Sequence, residues 1–201
     1  MNNYKSLPSY NFYYWGPLLF KIKIQQVDLK KCADLCSKQS SRVNDTLAGA
    51  IKHEHYVSSN AFVRIIDPYL QAFGEAYHHW YGKTIHQTSI LMTWVNFMRA
   101  GEFNPPHTHP DCDLSSVLFI KIPEALKEEH KKFTGTGGGP GAISFMHGGA
   151  QNFSISHINL FPEEGDFYMF PASLTHFVSP FTSKGERISI SANFKFDLNR
   201  K

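Results

Sequence analysis

Three separated stretches of the chain carry side chains able to hold a metal ion with an anion beside it. The first, residues 101–113 (GEFNPPHTHPDCD), places His107, His109, Asp111 and Asp113 within seven residues. The second, residues 165–171 (GDFYMFP), is followed after four residues by His176. The third is Arg187-Ile188-Ser189, eleven residues beyond His176. A non-haem ferrous centre needs two imidazoles and a carboxylate on one side of the ion, with the other positions open for substrate and oxygen. Side chains at i and i+2 of an extended segment point the same way, so an HxH or HxD pair grips one edge of a metal. The remaining ligand must come from a distant strand folded back beside that pair. His176, at the end of a strand-like run, suits that task.

An organic acid that chelates iron through a 2-oxo carboxylate fills two open positions and leaves a far carboxylate in need of a buried cation. The planar fork of arginine matches a carboxylate best. Arg187 supplies one, and Ser189, on the same strand face, can donate a second hydrogen bond. Each residue also has an ordinary reading. Asp111 and Asp113 are common turn residues, and Arg187 is also compatible with a surface charge at a strand end. The other eight of the eleven histidines (53, 55, 78, 79, 86, 130, 147 and 157) read as ordinary surface or core residues. It is the ordered co-occurrence of all three stretches that points to a site.

The elements that must position these groups are strands. Residues 89–101, 113–123, 142–148, 153–162, 165–171, 175–181 and 187–196 are rich in β-branched and aromatic residues and are separated by Gly, Pro and Asp. Six to eight short strands predict a sandwich or jelly roll. Upstream, residues 17–24 (PLLFKIKI) alternate as a half-buried strand does. Asp28 is placed to cap a helix ending near Ser40. Residues 41–59 read as irregular, with a helical turn near Leu47 to Ile51. Phe62, Ile65, Ile66, Tyr69, Phe73, Tyr77 and Trp80 recur at helical spacing, as one long helix or two pieces meeting at Asp67-Pro68, with Gly82 as the stop. Its expected role is to brace one face of the sheet. Residues 1–16 read as an aromatic arm able to pack on a partner copy. Residues 135–141 (GTGGGPG) read as a flexible insert, a mobile hairpin or lid edge, since they lack the Lys-Ser/Thr of a phosphate loop. The fold class is mainly β with N-terminal helices (α+β). Residues 1–85 form the strand and helical brace and residues 86–201 the core, together one domain.

Composition removes several function classes. The chain has 201 residues, 42% hydrophobic and 18% charged, which excludes wholesale disorder and suffices for a core without staples. Its net charge of +3 comes without a basic stripe, so no dedicated nucleic-acid surface is expected. Three cysteines without a CxxC pair give neither a disulfide framework nor a zinc ribbon and suit a reducing compartment. The longest apolar run is far short of the roughly 18 residues of a membrane span, and no secretory core is present. A cytoplasmic protein is expected.

With these residues in place, the chain resembles the 2-oxoglutarate- and Fe(II)-dependent oxygenase superfamily. More closely, it resembles the small oxygenases of marine bacteria and cyanophages. The resemblance rests on Trp94-Val95-Asn96, Gly101, Pro105-Pro106-His107-Thr108-His109-Pro110 and Leu114-Ser115-Ser116-Val117. Downstream it continues through Gly165-Asp166, Phe170-Pro171, Leu174-Thr175-His176, Pro180-Phe181 and residues 187–194 (RISISANF). It implies a double-stranded β-helix, Fe(II), 2-oxoglutarate as co-substrate, molecular oxygen, and oxidation of a C–H bond in a prime substrate, a protein side chain or a small molecule. It does not name that substrate. The superfamily pattern is HxD with a distal His, and two registers fit. In one, His107, His109 and His176 are the ligands, with Asp113 nearby as in cupins. In the other, His109-Pro110-Asp111 is the literal HxD. Two rivals stand beside this reading: a cupin-like metal enzyme that does not use 2-oxoglutarate, and a non-catalytic jelly-roll binding or virion protein.

Overall fold

The computed structural model describes residues 16–43, 46–149, 152 and 154–198. In chain order the elements are β1 (Phe20–Lys23), α1 (Gln26–Cys36), β2 (Glu54–Tyr56), α2 (Ser59–Tyr81), β3 (Gln87–Met98), β4 (Asn104–His107) and β5 (Leu114–Lys121). There follow α3 (Glu124–Lys131), β6 (Ile143–Met146), β7 (His157–Leu160), β8 (Asp166–Pro171), β9 (Thr175–Val178) and β10 (Arg187–Asp197). They make a six-stranded sheet in the order β1-β8-β5-β10-β3-β2 and a four-stranded sheet in the order β4-β9-β6-β7. All their strand pairings are antiparallel. Two facing sheets of this kind are the jelly roll that the strand pattern predicts.

Period-two alternation sorts the large sheet into two faces. Ile190, Ala192 and Phe194 of β10 and Leu114, Leu118 and Ile120 of β5 pack toward the helices, against Leu29 and Cys32 of α1 and Phe62, Ile66, Tyr69 and Phe73 of α2. The opposite face of β5 sends Val117 and Phe119 into a second cluster, with Tyr168, Phe170, Phe145 and Val178. On β10 that inner face is polar: Arg187, Ser189, Ser191 and Asn193. The helices therefore brace the outside of the sheet, and the polar stripe of β10 looks into the space between the sheets.

The helix ends follow local chemistry. Gln25, not Asp28, occupies the cap position of α1 and makes no side-chain cap bond. Asp28 sits in the first turn, pairs with Lys31, and accepts the Tyr69 hydroxyl at 2.8 Å. That hydroxyl in turn accepts the Gln25 N–H at 2.9 Å, so α1 and α2 are pinned together. α2 runs unbroken through Pro68, because one face buries four large side chains against the sheet. Ser58 caps it and Gly82 ends it in the left-handed conformation. The turn expected near Leu47 to Ile51 is not a helix. Ala50 forms a bridge with Phe103, and β2 pairs with β3. The arm of residues 1–16 falls, except for Gly16, outside the described residues. No helix among the described residues is long and apolar enough to cross a membrane.

Candidate metal centre

β4 and β9 are antiparallel neighbours, and His107 is the direct register partner of His176. Their rings stand 4.2 Å apart, centroid to centroid. Two residues past His107, the His109 N–H bonds the Ala172 carbonyl at 2.9 Å, which folds the loop back toward the start of β9. The His109 and His176 Nε2 atoms are then 3.2 Å apart. One ring nitrogen from each of the three histidines lies within 4.8 Å of the others. Two nitrogens bound to one metal at right angles lie about 3 Å apart, so this donor set fits a single ion.

Tautomers favour ligation. His107 Nδ1–H donates to the Pro105 carbonyl at 2.7 Å, and His176 Nδ1–H donates to the Leu174 carbonyl at 2.9 Å. Both leave Nε2 with a lone pair. Burial, then the neighbouring His107, holds His109 down at about 4 and His176 down at about 3. Both rings are therefore neutral at physiological pH, as a metal ligand must be.

Asp111 is not brought to this cluster. It lies exposed in the turn after Pro110 with φ +62°, outside the group of three. Asp113 is also elsewhere: its carboxylate accepts the Phe196 N–H at 2.8 Å and lies 3.6 Å from Lys195 Nζ.

Arg187 and Ser189 line the same pocket as the three histidines, a space of about 170 Å³. Arg187 is 2% exposed and rests over the Phe119 ring. One of its N–H groups donates to the Gly141 carbonyl at 3.0 Å, while its Nε is buried with no hydrogen-bond partner among the described residues. Burial lowers its pKa to about 10, which still leaves it a cation at neutral pH. Among the described residues no carboxylate pairs with it. A buried cation with unspent donors is costly unless an anion joins it. Ser189 accepts from Asn96 Nδ2 at 3.4 Å, so its own hydroxyl proton is left to donate into the pocket. Asn96 also reaches Ser191 Oγ at 3.2 Å and accepts from Trp94 Nε1 at 3.1 Å, which fixes this wall.

Sequence reasoning gave Trp94, Asn96, Ser191 and Gly141 no role in the site, although Trp94, Asn96 and Ser191 lie in the runs that carry the resemblance. The first three were within reach: they extend the alternation that pairs Arg187 with Ser189 and lie on the facing positions of β3. Gly141 was read as part of a flexible insert, yet it is the residue that orients Arg187.

A family profile described as "Putative 2OG-Fe(II) oxygenase" matches residues 92–193, just over half of the chain. No curated protein sequence matches it significantly. Among solved structures, the viral collagen prolyl hydroxylase vCPH from Paramecium Bursaria Chlorella virus-1 is similar at TM-score 0.56 and 14% identity, over 88% of this chain and 94% of that one. A Pseudomonas putida prolyl-4-hydroxylase aligns at TM-score 0.55 and 15% identity, over 88% of this chain and 91% of that one. HygX from Streptomyces hygroscopicus, solved with nickel, 2-oxoglutarate and hygromycin B, aligns at TM-score 0.56 and 10% identity, over 88% and 82%. At these identities the structures speak for the jelly-roll fold, and the profile speaks for the family. The chain belongs to the 2-oxoglutarate- and Fe(II)-dependent oxygenases.

Proposed function

We propose that this oxidoreductase hydroxylates a prime substrate at a C–H bond, with iron held by Nε2 of His107, His109 and His176 and the far carboxylate of 2-oxoglutarate held by Arg187 and Ser189. The observation that carries the reading is the Arg187 guanidinium, buried and with Nε unpartnered among the described residues, in the same pocket as three convergent imidazoles. Bound iron and 2-oxoglutarate supply oxygen activation, coupled to oxidative decarboxylation of the co-substrate. The chain's own residues do the rest. β4 and β9 hold two imidazoles in register, and the loop carrying His109 closes the third side. Arg187 and Ser189 fix the co-substrate by its remote end, so that its reacting end is oriented before oxygen arrives. Trp94, Phe170 and Val178 supply apolar walls to the small space.

His107, His109 and His176 are the preferred ligands over the register using Asp111, because their nitrogens converge while Asp111 lies in an exposed turn. The cupin-like alternative has less support: Asp113, its expected fourth group, is engaged with Phe196 and Lys195. A purely binding role leaves the unpaired Arg187 and the imidazole cluster unexplained. The PPHTHP, LSSV and RISISANF runs support placing the chain with the small oxygenases of marine bacteria and cyanophages. Free Cys32, Cys36 and Cys112 suit a cytoplasmic setting. Peptide and small-molecule substrates both remain within this proposal, since a Trichoplax adhaerens prolyl hydroxylase with a peptide fragment and HygX with hygromycin B share the fold.

The test is anaerobic addition of Fe(II) and then 2-oxoglutarate to the purified protein. A weak visible charge-transfer band, formed only with both present, is expected. Its absence at saturating iron and co-substrate overturns the proposal.

A further inference from the structure

Asn193 lies on β10, on the face that carries Arg187, Ser189 and Ser191. Its amide nitrogen is 3.4 Å from Nδ1 of His109. Its Oδ1 is buried with no hydrogen-bond partner among the described residues, a state that native proteins rarely leave unexplained. The register of β10 against β3 shifts immediately beyond it, between Asn193 and Phe194. Such irregularities re-aim a side chain and occur beside active sites.

We infer that Asn193 is a positioning residue for His109: its amide oxygen holds the imidazole in the tautomer protonated on Nδ1, which leaves Nε2 for the metal. The inference rests on the ligand assignment proposed above. His107 and His176 each commit Nδ1–H to a backbone carbonyl. At His109 Nδ1 the group in reach is instead the Asn193 amide. An amide offers two donors on one side and an acceptor on the other, and a half-turn about its last torsion exchanges them. With the NH₂ toward Nδ1, the ring accepts there and carries its proton on Nε2, aimed at the His176 Nε2 3.2 Å away. That proton stands between two ligand atoms and opposes the metal. With Oδ1 toward Nδ1, the ring donates, Oδ1 gains the partner it lacks while the NH₂ takes the place Oδ1 leaves, and Nε2 is a free lone pair. One strand then serves both halves of the site, Arg187 for the anion and Asn193 for a metal ligand. Outer partners of this kind fix ligand orientation, and their loss typically weakens metal binding 10–100-fold.

The probe is Co(II), titrated anaerobically into the full chain and followed by its visible ligand-field bands. Asn193→Leu, which removes the acceptor, is expected to weaken Co(II) binding at least about tenfold. Asn193→Asp, which offers acceptors only, is expected to stay within about threefold of the wild type. A Leu variant that binds as the wild type does, or an Asp variant as weak as the Leu variant, overturns the inference. A second measurement needs no variant: in the Zn(II)-loaded wild type, ¹H–¹⁵N spectra are expected to place the His109 proton on Nδ1, and a proton on Nε2 overturns it. If instead the wild type gives no Co(II) bands that His176→Ala abolishes, the ligand assignment itself has failed and this inference with it.

Discussion

His107 and His176 are direct partners across the β4–β9 ladder, with their rings 4.2 Å apart. Two of the three converging imidazoles are therefore set by backbone pairing between strands 69 residues apart in the chain, and the third by a loop hydrogen bond from His109 to Ala172. Backbone registry of this sort holds ligands more tightly than loop placement does.

The ligand set is separable by substitution. His107→Ala, His109→Ala and His176→Ala are each expected to abolish the Fe(II)–2-oxoglutarate charge-transfer band. Asp111→Ala is expected to keep it, because that side chain lies exposed in a turn. Asp113→Ala is expected to keep the band but to lower stability by about 1 kcal/mol, the loss of its bond to the Phe196 N–H. Absorbance titration and a thermal melt read both effects. A band lost with Asp111→Ala and kept with His107→Ala restores the HPD register.

On the proposed assignment, Arg187 acts on the co-substrate rather than on the metal. Removing one partner of a buried, hydrogen-bonded charge pair costs roughly 2–5 kcal/mol, so Arg187→Met is expected to raise the 2-oxoglutarate dissociation constant at least about thirtyfold. Co(II) affinity is expected to be unchanged. Ser189→Ala removes one hydroxyl donor and is expected to raise the same constant by about tenfold or less. Calorimetric titration of 2-oxoglutarate into the Co(II)-loaded protein measures both. An unchanged constant for Arg187→Met returns the chain to the cupin-like reading.

What the sequence made legible was whatever depends on local pattern. The strands of the large sheet follow period-two runs, and Arg187 and Ser189 share a face because they are two residues apart. β4 escaped because its NPPH sequence reads as loop: proline removes ladder donors, and the strand is tolerated as the edge of the smaller sheet. α3 escaped because it is mostly charged and buries only Leu126 fully, so its apolar period has a single strong member. Which i, i+2 pair around His109 faces the pocket could not be read locally. It is fixed by the register of His107 against His176, a pairing between distant residues.

Gly141 links the glycine-rich connection to the site. It has φ +71°, and a Cβ there meets the Leu126 side chain at 2.9 Å, while its carbonyl holds Arg187. Gly141→Ala is expected to cost about 1–3 kcal/mol of stability through strain in the left-handed region. If the Gly141 backbone rather than the Leu126 side chain yields to the contact, its carbonyl moves off Arg187, and the 2-oxoglutarate dissociation constant is expected to rise about threefold to tenfold with Co(II) affinity unchanged. A thermal melt and the same calorimetric titration check this. A lower melting temperature with an unaltered constant separates Gly141 from the orientation of Arg187.

Glu129 of α3 fastens the loop that leads into β10. Its carboxylate accepts the Thr182 N–H at 2.9 Å, the Thr182 hydroxyl at 2.8 Å and the Ser183 N–H at 2.8 Å, four residues before Arg187. Burial pushes its pKa up, but the Ser183 and Thr182 donors outweigh that and hold it at about 2, against 4.5 unperturbed. A carboxyl whose pKa is lower in the folded state stabilises fully above the unfolded value, and that contribution is lost as pH falls through the folded value. Glu129→Gln is therefore expected to lower stability by about 1 kcal/mol at pH 7, after allowance for solvent screening of a part-exposed group. The difference between wild type and variant should persist down to about pH 4.5 and then shrink toward pH 2. Parallel urea titrations at pH 7, 5 and 3 measure it, and a difference that stays constant down to pH 2 assigns the effect to packing instead of the charged hydrogen bonds.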